Sequence, residues 1–267
     1  MTVTAGCDVG SLTAKVVLMR QNRILGSSVV RSRVNPRESA DEALRAALAN
    51  SGLSRDDIVC CVGTGYGRDR IAFVDETLSE IACHGRGARW LLPSARTIID
   101  IGGQDCKAMH IDATGKVTKF ITNDKCASGT GRFLEVMAQV LGIDIEALGA
   151  HSGKSKAPVR LASTCTVWAQ ADVIKYLNEG YAIEDIGAGI NAAMANRVAI
   201  LINTIKVERD VIMTGGVAKN DGVLSVLGQV LGQRIKKIRK ADPQLAGAIG
   251  AALHAHEIRE REAVRCL

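Results

Sequence analysis

Aromatic residues are scarce in this 267-residue chain: three Phe, three Tyr and two Trp, 3% in all. A surface for single-stranded nucleic acid stacks bases on aromatic rings inside a basic groove, and no basic stretch here is interleaved with aromatics. Neither sign of charge is in large excess, since 34 basic residues against 28 acidic leave only +6. The densest basic run, Arg234, Lys236, Lys237, Arg239 and Lys240, reads as a solvated strand face and not as a nucleic-acid patch. Long apolar runs are missing too. No segment approaches the roughly 18 consecutive apolar residues of a membrane span, and Met1–Gly10 lacks a basic stretch followed by an apolar one. The expectation is a cytoplasmic protein whose partners are neither membrane nor nucleic acid.

What is present is an ordinary core-forming composition, 47% hydrophobic and 23% charged, at a length that suits two modest domains. Eight cysteines stand out: Cys7, Cys60, Cys61, Cys83, Cys106, Cys126, Cys165 and Cys266. In a reducing compartment they are expected to serve packing, metal binding or redox chemistry, not disulfides.

The opening reads as an antiparallel meander of strands Val3–Val9, Ala14–Arg20 and Ile24–Arg31, tightly joined. Ala40, Ala43, Leu44, Ala47 and Leu48 then recur at helical spacing up to Gly52. A buried strand Ile58–Gly63 and a helix Thr77–Leu92 follow, the latter ending before Pro93. The pattern restarts with strands Thr97–Ile101, Cys106–Ile111 and Val117–Thr122 and a helix from about Ala127 to Leu141. Later elements are helices Val167–Leu177 and Ile183–Val207, a strand Val211–Met213, a helix to Leu231, a strand Arg234–Ile238 and a final helix Gln244–Glu262. Two copies of strand, glycine turn, strand, strand and helix imply a duplicated α/β unit with a cleft between halves too diverged to align residue by residue.

Three glycine turns suit phosphate. In Asp8-Val9-Gly10-Ser11-Leu12-Thr13-Ala14-Lys15, the backbone from Gly10 through Leu12, the Ser11 and Thr13 hydroxyls and the Lys15 ammonium can cradle a phosphate. Asp8 can hold Mg²⁺ through water. Ile99-Asp100-Ile101-Gly102-Gly103-Gln104-Asp105 repeats that chemistry, with Gln104 suited to orient an attacking water. In Met213-Thr214-Gly215-Gly216-Val217-Ala218-Lys219-Asn220 a strand runs through two glycines into a helix, which lets adenosine approach the backbone. Each turn alone also fits a plain connection. Candidate cofactor contacts are therefore Asp8, Gly10, Ser11, Leu12, Thr13, Lys15, Asp100, Gly102, Gly103, Gln104, Gly215, Gly216, Val217 and Asn220, and the candidate catalytic groups are Gln104, Asp8 and Asp105.

Two further segments place a cysteine just ahead of a helix: Asn123-Asp124-Lys125-Cys126-Ala127-Ser128-Gly129-Thr130-Gly131 and Ser163-Thr164-Cys165-Thr166-Val167-Trp168. A helix N-terminus favours thiolate and so favours metal ligation, although burial as a small apolar group is the alternative. Two thiolates are half of what a 4Fe–4S cluster needs, and a twofold dimer would supply the other two.

The ordered trio of turns resembles the phosphate-1, phosphate-2 and adenosine segments of the actin, hexokinase and Hsp70 superfamily. That implies two ribonuclease-H-like halves closing on ATP: residues 1–95, completed by helix 244–262, and residues 96–243, which carry Cys126, Cys165 and the adenosine segment. With Thr64-Gly65-Tyr66-Gly67-Arg68 and Gly247-Ala248-Ile249-Gly250-Ala251-Ala252 added, nearly the whole chain resembles the BadF/BadG/BcrA/BcrD ATPase family, especially activators of 2-hydroxyacyl-CoA dehydratases. The resemblance implies a homodimer with one 4Fe–4S cluster bridged by Cys126 and Cys165, Mg·ATP in each subunit, and a ferredoxin or flavodoxin as donor. It implies as acceptor a 2-hydroxyacyl-CoA dehydratase or a benzoyl-CoA reductase. Ser128 stands where activators often have alanine, and Ala169-Gln170-Ala171-Asp172 where they often have Ala-Glu-Ser-Glu, which leaves the acceptor open. Two rivals come from other classes: a small-molecule kinase of the same fold, for which Asp105 is the available base, and a nucleotide-dependent binding module without redox chemistry.

Overall fold

The computed structural model describes residues 2–162 and 165–265, so Ser163, Thr164 and Cys266 lie outside the described residues. The chain divides into two compact units. The first comprises the described parts of Met1–Ala95, Ile111–Thr118 and Ile238–Leu267; the second comprises those of Arg96–His110 and Lys119–Lys237.

In the first unit β1 (Val3–Val9), β2 (Thr13–Arg20) and β3 (Arg23–Arg31) form the expected meander, followed by α1 (Pro36–Ser51), β4 (Ile58–Thr64), β5 (Glu76–Thr77) and α2 (Glu80–Leu91). The strand order is β3-β2-β1-β4-β5, with β4 parallel to β1 because α1 carries the chain back to the same end of the sheet. All seven residues of β1 are buried, as they must be in a strand covered on both faces. Val3, Ala5, Cys7 and Val9 pack with Ala40, Ala43, Leu44 and Ala47 of α1. The alternate residues meet the C-terminal helix α8 (Ala246–Arg265): Thr4 Oγ1 donates to Ala252 O at 3.1 Å, and Gly6 lies against Ala248.

The second unit repeats the plan with β6 (Thr97–Ile101), β7 (Cys106–Ile111) and β8 (Val117–Asn123), then α3 (Gly131–Leu141), α4 (Ile145–Ser152), α5 (Thr166–Asn178) and α6 (Ile183–Asn203). After these come β9 (Val211–Thr214), α7 (Asp221–Val230) and β10 (Ile235–Lys236). Read from the other edge the order is β8-β7-β6-β9-β10, the topology of the first sheet strand for strand. Phe133, Leu134 and Met137 of α3 and Ile186, Ile190, Met194 and Val198 of α6 fill its core.

Several expectations need correction. The helix expected from Thr77 starts at Glu80, since Glu76 and Thr77 pair with Val62 and Gly63 as an edge strand. The helix expected from Ala127 starts at Gly131, because Gly129 has φ +85 and Thr130 N bonds to Ala127 O, closing a turn first. The strand Arg234–Ile238 shrinks to Ile235–Lys236, and the helix to Val207 stops at Asn203. The basic run is solvent-exposed, as expected, although only Ile235 and Lys236 there are strand; Lys236 pairs with Asp210, Lys237 with Asp221 at 2.6 Å, and Lys240 lies 3.5 Å over the Trp90 ring. Residues 111–118, assigned from sequence to the second half, pack with the first unit, where Arg89 Nε donates to Ala113 O at 2.8 Å. Among the described residues no helix is long and apolar enough to cross a membrane.

Helices α2 and α8 touch through glycine. A Cβ on Gly250 would sit 1.7 Å from Cys83 O, a backbone atom that cannot step aside. Gly250→Ala is expected to cost about 3 kcal/mol or more, read as a lowered urea midpoint at constant slope. Gly153→Ala, whose nearest neighbours lie 3.6 Å away, is expected to stay within about 0.5 kcal/mol.

Candidate functional site

The β1–β2 register puts Asp8 opposite Lys15, and the β6–β7 register puts Asp100 opposite Lys107. The two octapeptides, Asp8-Val9-Gly10-Ser11-Leu12-Thr13-Ala14-Lys15 and Asp100-Ile101-Gly102-Gly103-Gln104-Asp105-Cys106-Lys107, therefore align residue by residue, although the halves as wholes read as too diverged to align. All four charged residues are buried. Lys15 Nζ donates to Asp8 Oδ2 at 3.2 Å; Lys107 Nζ lies 3.8 Å from Asp100 Oδ2 and bonds to Asp105. Buried ion pairs stabilise little in return for their desolvation, so two at equivalent turns point to a functional demand. Lys107 escaped the sequence reading, yet its signal was the offset already seen between Asp8 and Lys15.

A parallel strand closes over each carboxylate. Thr64 of β4 pairs with Asp8, and Thr214 of β9 pairs with Asp100, donating from Oγ1 to Asp100 Oδ1 at 2.7 Å. The next residue is glycine in both, Gly65 at φ +88 and Gly215 at φ +84. Only glycine fits: a Cβ at Gly65 would lie 2.5 Å from Asp8 Oδ1, and one at Gly215 would lie 2.2 Å from Ile101 O. His84 and Gly247 also border Asp8.

Gly10, Ser11, Leu12 and Thr13 are half-buried, with Gly10 N donating to Thr13 O at 3.0 Å. Gly102 and Gly103 are half-buried, Gln104 is exposed and Asp105 is buried against Lys107. Gly216 and Val217 open a 3-10 turn, Gly216–Lys219. Asn220 caps α7: its Oδ1 accepts from Val223 N at 3.1 Å, and its Nδ2 donates to Asn191 Oδ1 at 3.1 Å. That amide is thus shared between the adenosine-like turn and α6.

The cysteines separate by exposure. Cys7, Cys60, Cys61, Cys83 and Cys106 are buried, and burial pushes the Cys60 thiol up to about 11 and the Cys83 thiol up to about 12. Burial raises the thiols of Cys7, Cys61 and Cys106 as well. Cys126 is half-exposed and Cys165 exposed. Cys165 occupies the N-cap position of α5, as expected. Cys126 does not adjoin its helix, because α3 begins five residues later at Gly131, so the dipole argument fails for it. Its thiol is held below the usual range first by the Ser128 hydroxyl, 3.4 Å from Sγ, then by the Ser128 N–H and the Arg197 guanidinium, with burial opposing. No group of three or more His, Cys, Asp or Glu side chains forms a metal site among the described residues. Among the described residues two thiols reach solvent, Cys126 and Cys165, and their donor chemistry fits a thiolate-bound metal group.

Comparison with known proteins gives one consistent picture. The BadF/BadG/BcrA/BcrD ATPase family profile matches residues 5–255. A 2-hydroxyisocaproyl-CoA dehydratase activator of Clostridioides difficile is 42% identical over 254 residues, 95% of each chain. A solved structure of the Clostridium difficile activator of that dehydratase, with ADPNP bound, superposes at TM-score 0.95 and 41% identity over 99% of this chain and 98% of the other. A ROK family glucokinase of Streptomyces griseus, TM-score 0.55 at 14% identity over 96% and 99%, shares the fold alone. The fold is the actin and hexokinase type.

Iodoacetamide titration with peptide mapping should label Cys126 and Cys165 in the folded chain, and Cys7, Cys61 and Cys106 only after unfolding. Since Ser128 favours the thiolate, Ser128→Ala should move the Cys126 rate profile to higher pH and slow labelling at neutral pH. An unmoved profile would remove Ser128 as the cause.

Proposed function

The chain belongs to the BadF/BadG/BcrA/BcrD ATPase family, and from that premise we propose that it is an ATP-dependent electron donor that activates a 2-hydroxyacyl-CoA dehydratase. The observation that carries the redox half is the cysteine contrast: among the described residues five thiols are sealed in the core, and the two that reach solvent are those of the two cysteine motifs. Cys126 and Cys165 would hold a 4Fe–4S cluster, which supplies one low-potential electron when bound. One chain offers half of the required thiolates, so an isologous homodimer completes the set.

Mg·ATP binds through Asp8, Ser11, Asp100, Gly102, Gly103, Gly215 and Gly216. Asp8 would hold the Mg²⁺ that accompanies the nucleotide, Lys15 and Lys107 offset charge at the two turns, and exposed Gln104 would orient an attacking water. A ferredoxin or flavodoxin recharges the donor, and the dehydratase accepts the electron. Differential binding of about 1.4 kcal/mol between nucleotide states shifts a one-electron potential by about 59 mV, so a modest conformational preference suffices. Hydrolysis makes the transfer one-way. The substrate chemistry takes place on the acceptor.

Anaerobically purified protein should carry about four iron atoms per dimer. Cys126→Ala or Cys165→Ala should each lose the iron, whereas Cys60→Ala and Cys61→Ala should keep it. Iron-free protein with full ATPase activity would favour a kinase or a binding module instead. Asp8→Ala and Gly216→Val should abolish ATPase activity in folded protein, and Gln104→Ala should slow turnover about a hundredfold while nucleotide binding persists. Equal loss of binding and turnover in Gln104→Ala would make that side chain a nucleotide contact.

A further inference from the structure

The first N–H groups of a helix have no partner within it and are ordinarily satisfied by a side chain at the N-cap. At α3 the N-cap is Thr130, whose side chain does not cap; its Oγ1 donates to Ala127 O at 2.6 Å. The helix is capped instead by the second glycine turn. Gly131 N donates to Gly102 O, and Arg132 N donates to Gly103 O, both at 2.8 Å. On the other side of the joint, the few residues back to Cys126 leave no slack. Thr130 is fully buried and Ser128 nearly so, Thr130 N bonds to Ala127 O, and Asn123 Nδ2 donates to Cys126 O at 3.2 Å. Gly129 is pressed against Arg197 and Val198 of α6, 3.3 and 3.4 Å from where its Cβ would stand.

We propose that Gly131 is a positioning residue through which the state of the Gly102–Gly103 turn is passed to Cys126. The inference rests on the reading that this turn binds nucleotide and that Cys126 is a ligand. The peptide plane between the two glycines rotates at little cost, and its carbonyl, Gly102 O, caps α3 together with Gly103 O of the next plane. A change at the turn therefore shifts the helix start, and the short hydrogen-bonded loop carries that shift to the thiol. A Cβ at Gly131 would stand 3.0 Å from Gly102 O, close enough that the joint must open by a few tenths of an ångström. By linkage, whatever nucleotide does to Cys126 is matched by an equal effect of ligation at Cys126 on nucleotide affinity.

The test uses the full-length iron-free chain and the alkylation rate of Cys126, resolved by peptide mapping, with and without a saturating non-hydrolysable ATP analogue. Wild type is expected to change its rate at least about fivefold on binding nucleotide. Gly131→Pro removes one N–H at the position where a helix best accepts proline, and Thr130, at φ −126 and ψ 167, is already in the conformation that a proline demands before it. The variant should still bind the analogue by calorimetry but show a rate ratio near one. Arg132→Ala keeps its backbone donor and should keep the wild-type ratio. Gly131→Ala, the milder change, should at least halve the ratio and decides the matter where the proline variant does not fold. A nucleotide-bound, folded Gly131 variant with the wild-type ratio overturns the inference. So does a wild type that binds nucleotide with no change at Cys126, an outcome that leaves the ATP-binding reading standing. A wild type that binds no nucleotide removes both.

Discussion

A lysine ammonium and an aspartate carboxylate taken out of water together must be held opposite each other, since either alone would be an uncompensated buried charge. That requirement is met twice here, by Asp8 with Lys15 and by Asp100 with Lys107, and much of the architecture follows from it. The partners are cross-strand neighbours on consecutive antiparallel strands, so a slip of one residue in either hairpin would turn one charge to the opposite face. The turn between them is thereby fixed in length, and its backbone is delivered to the same place in each unit. The parallel strand alongside must end in a residue without a side chain, because the carboxylate or the turn carbonyl occupies the space of a Cβ. Gly65 and Gly215 are thus consequences of the ion pairs as much as separate features of the site.

The hairpins were legible because glycine turns and alternating burial leave a mark within a few residues. The pairing of the duplicated turns was less so. Lys107 sits inside a strand and reads as strand filler until the register sets it across from Asp100. Short elements were the least visible: α4 has eight residues with one buried side chain, Leu148, and β5 and β10 pair through two residues each, too few for any period to show. The start of α3 was misplaced because Gly129 takes a positive φ, beside Arg197 and Val198 from far along the chain, and closes a turn before the helix begins. Of the seven described cysteines, sequence singled out the two that reach solvent by their flanking glycines and helix starts. It gave the wrong physical reason for Cys126, whose neighbour Ser128 does what a helix terminus was expected to do.

The two units share a topology but not a task. The first has beside its turn a carboxylate bordered by Gly65, His84 and Gly247, and its helices α2 and α8 approach closely through Gly87 and Gly250. In the second, the space after β8 holds four helices, and it is there that the half-exposed and exposed cysteines lie. Both cysteines precede helices that pack in one core, α3 and α5, and α6 touches the Cys126 loop at Arg197 while sharing an amide pair with the adenosine-like turn through Asn191 and Asn220. A buried amide pair tolerates little misalignment, since each unmade bond leaves a polar group without water. The second unit therefore has two rigid routes from its glycine turns to the same loop, one through the capping of α3 and one along α6. A ligand that alters either turn meets a structure in which the Cys126 loop has few ways to stay where it was.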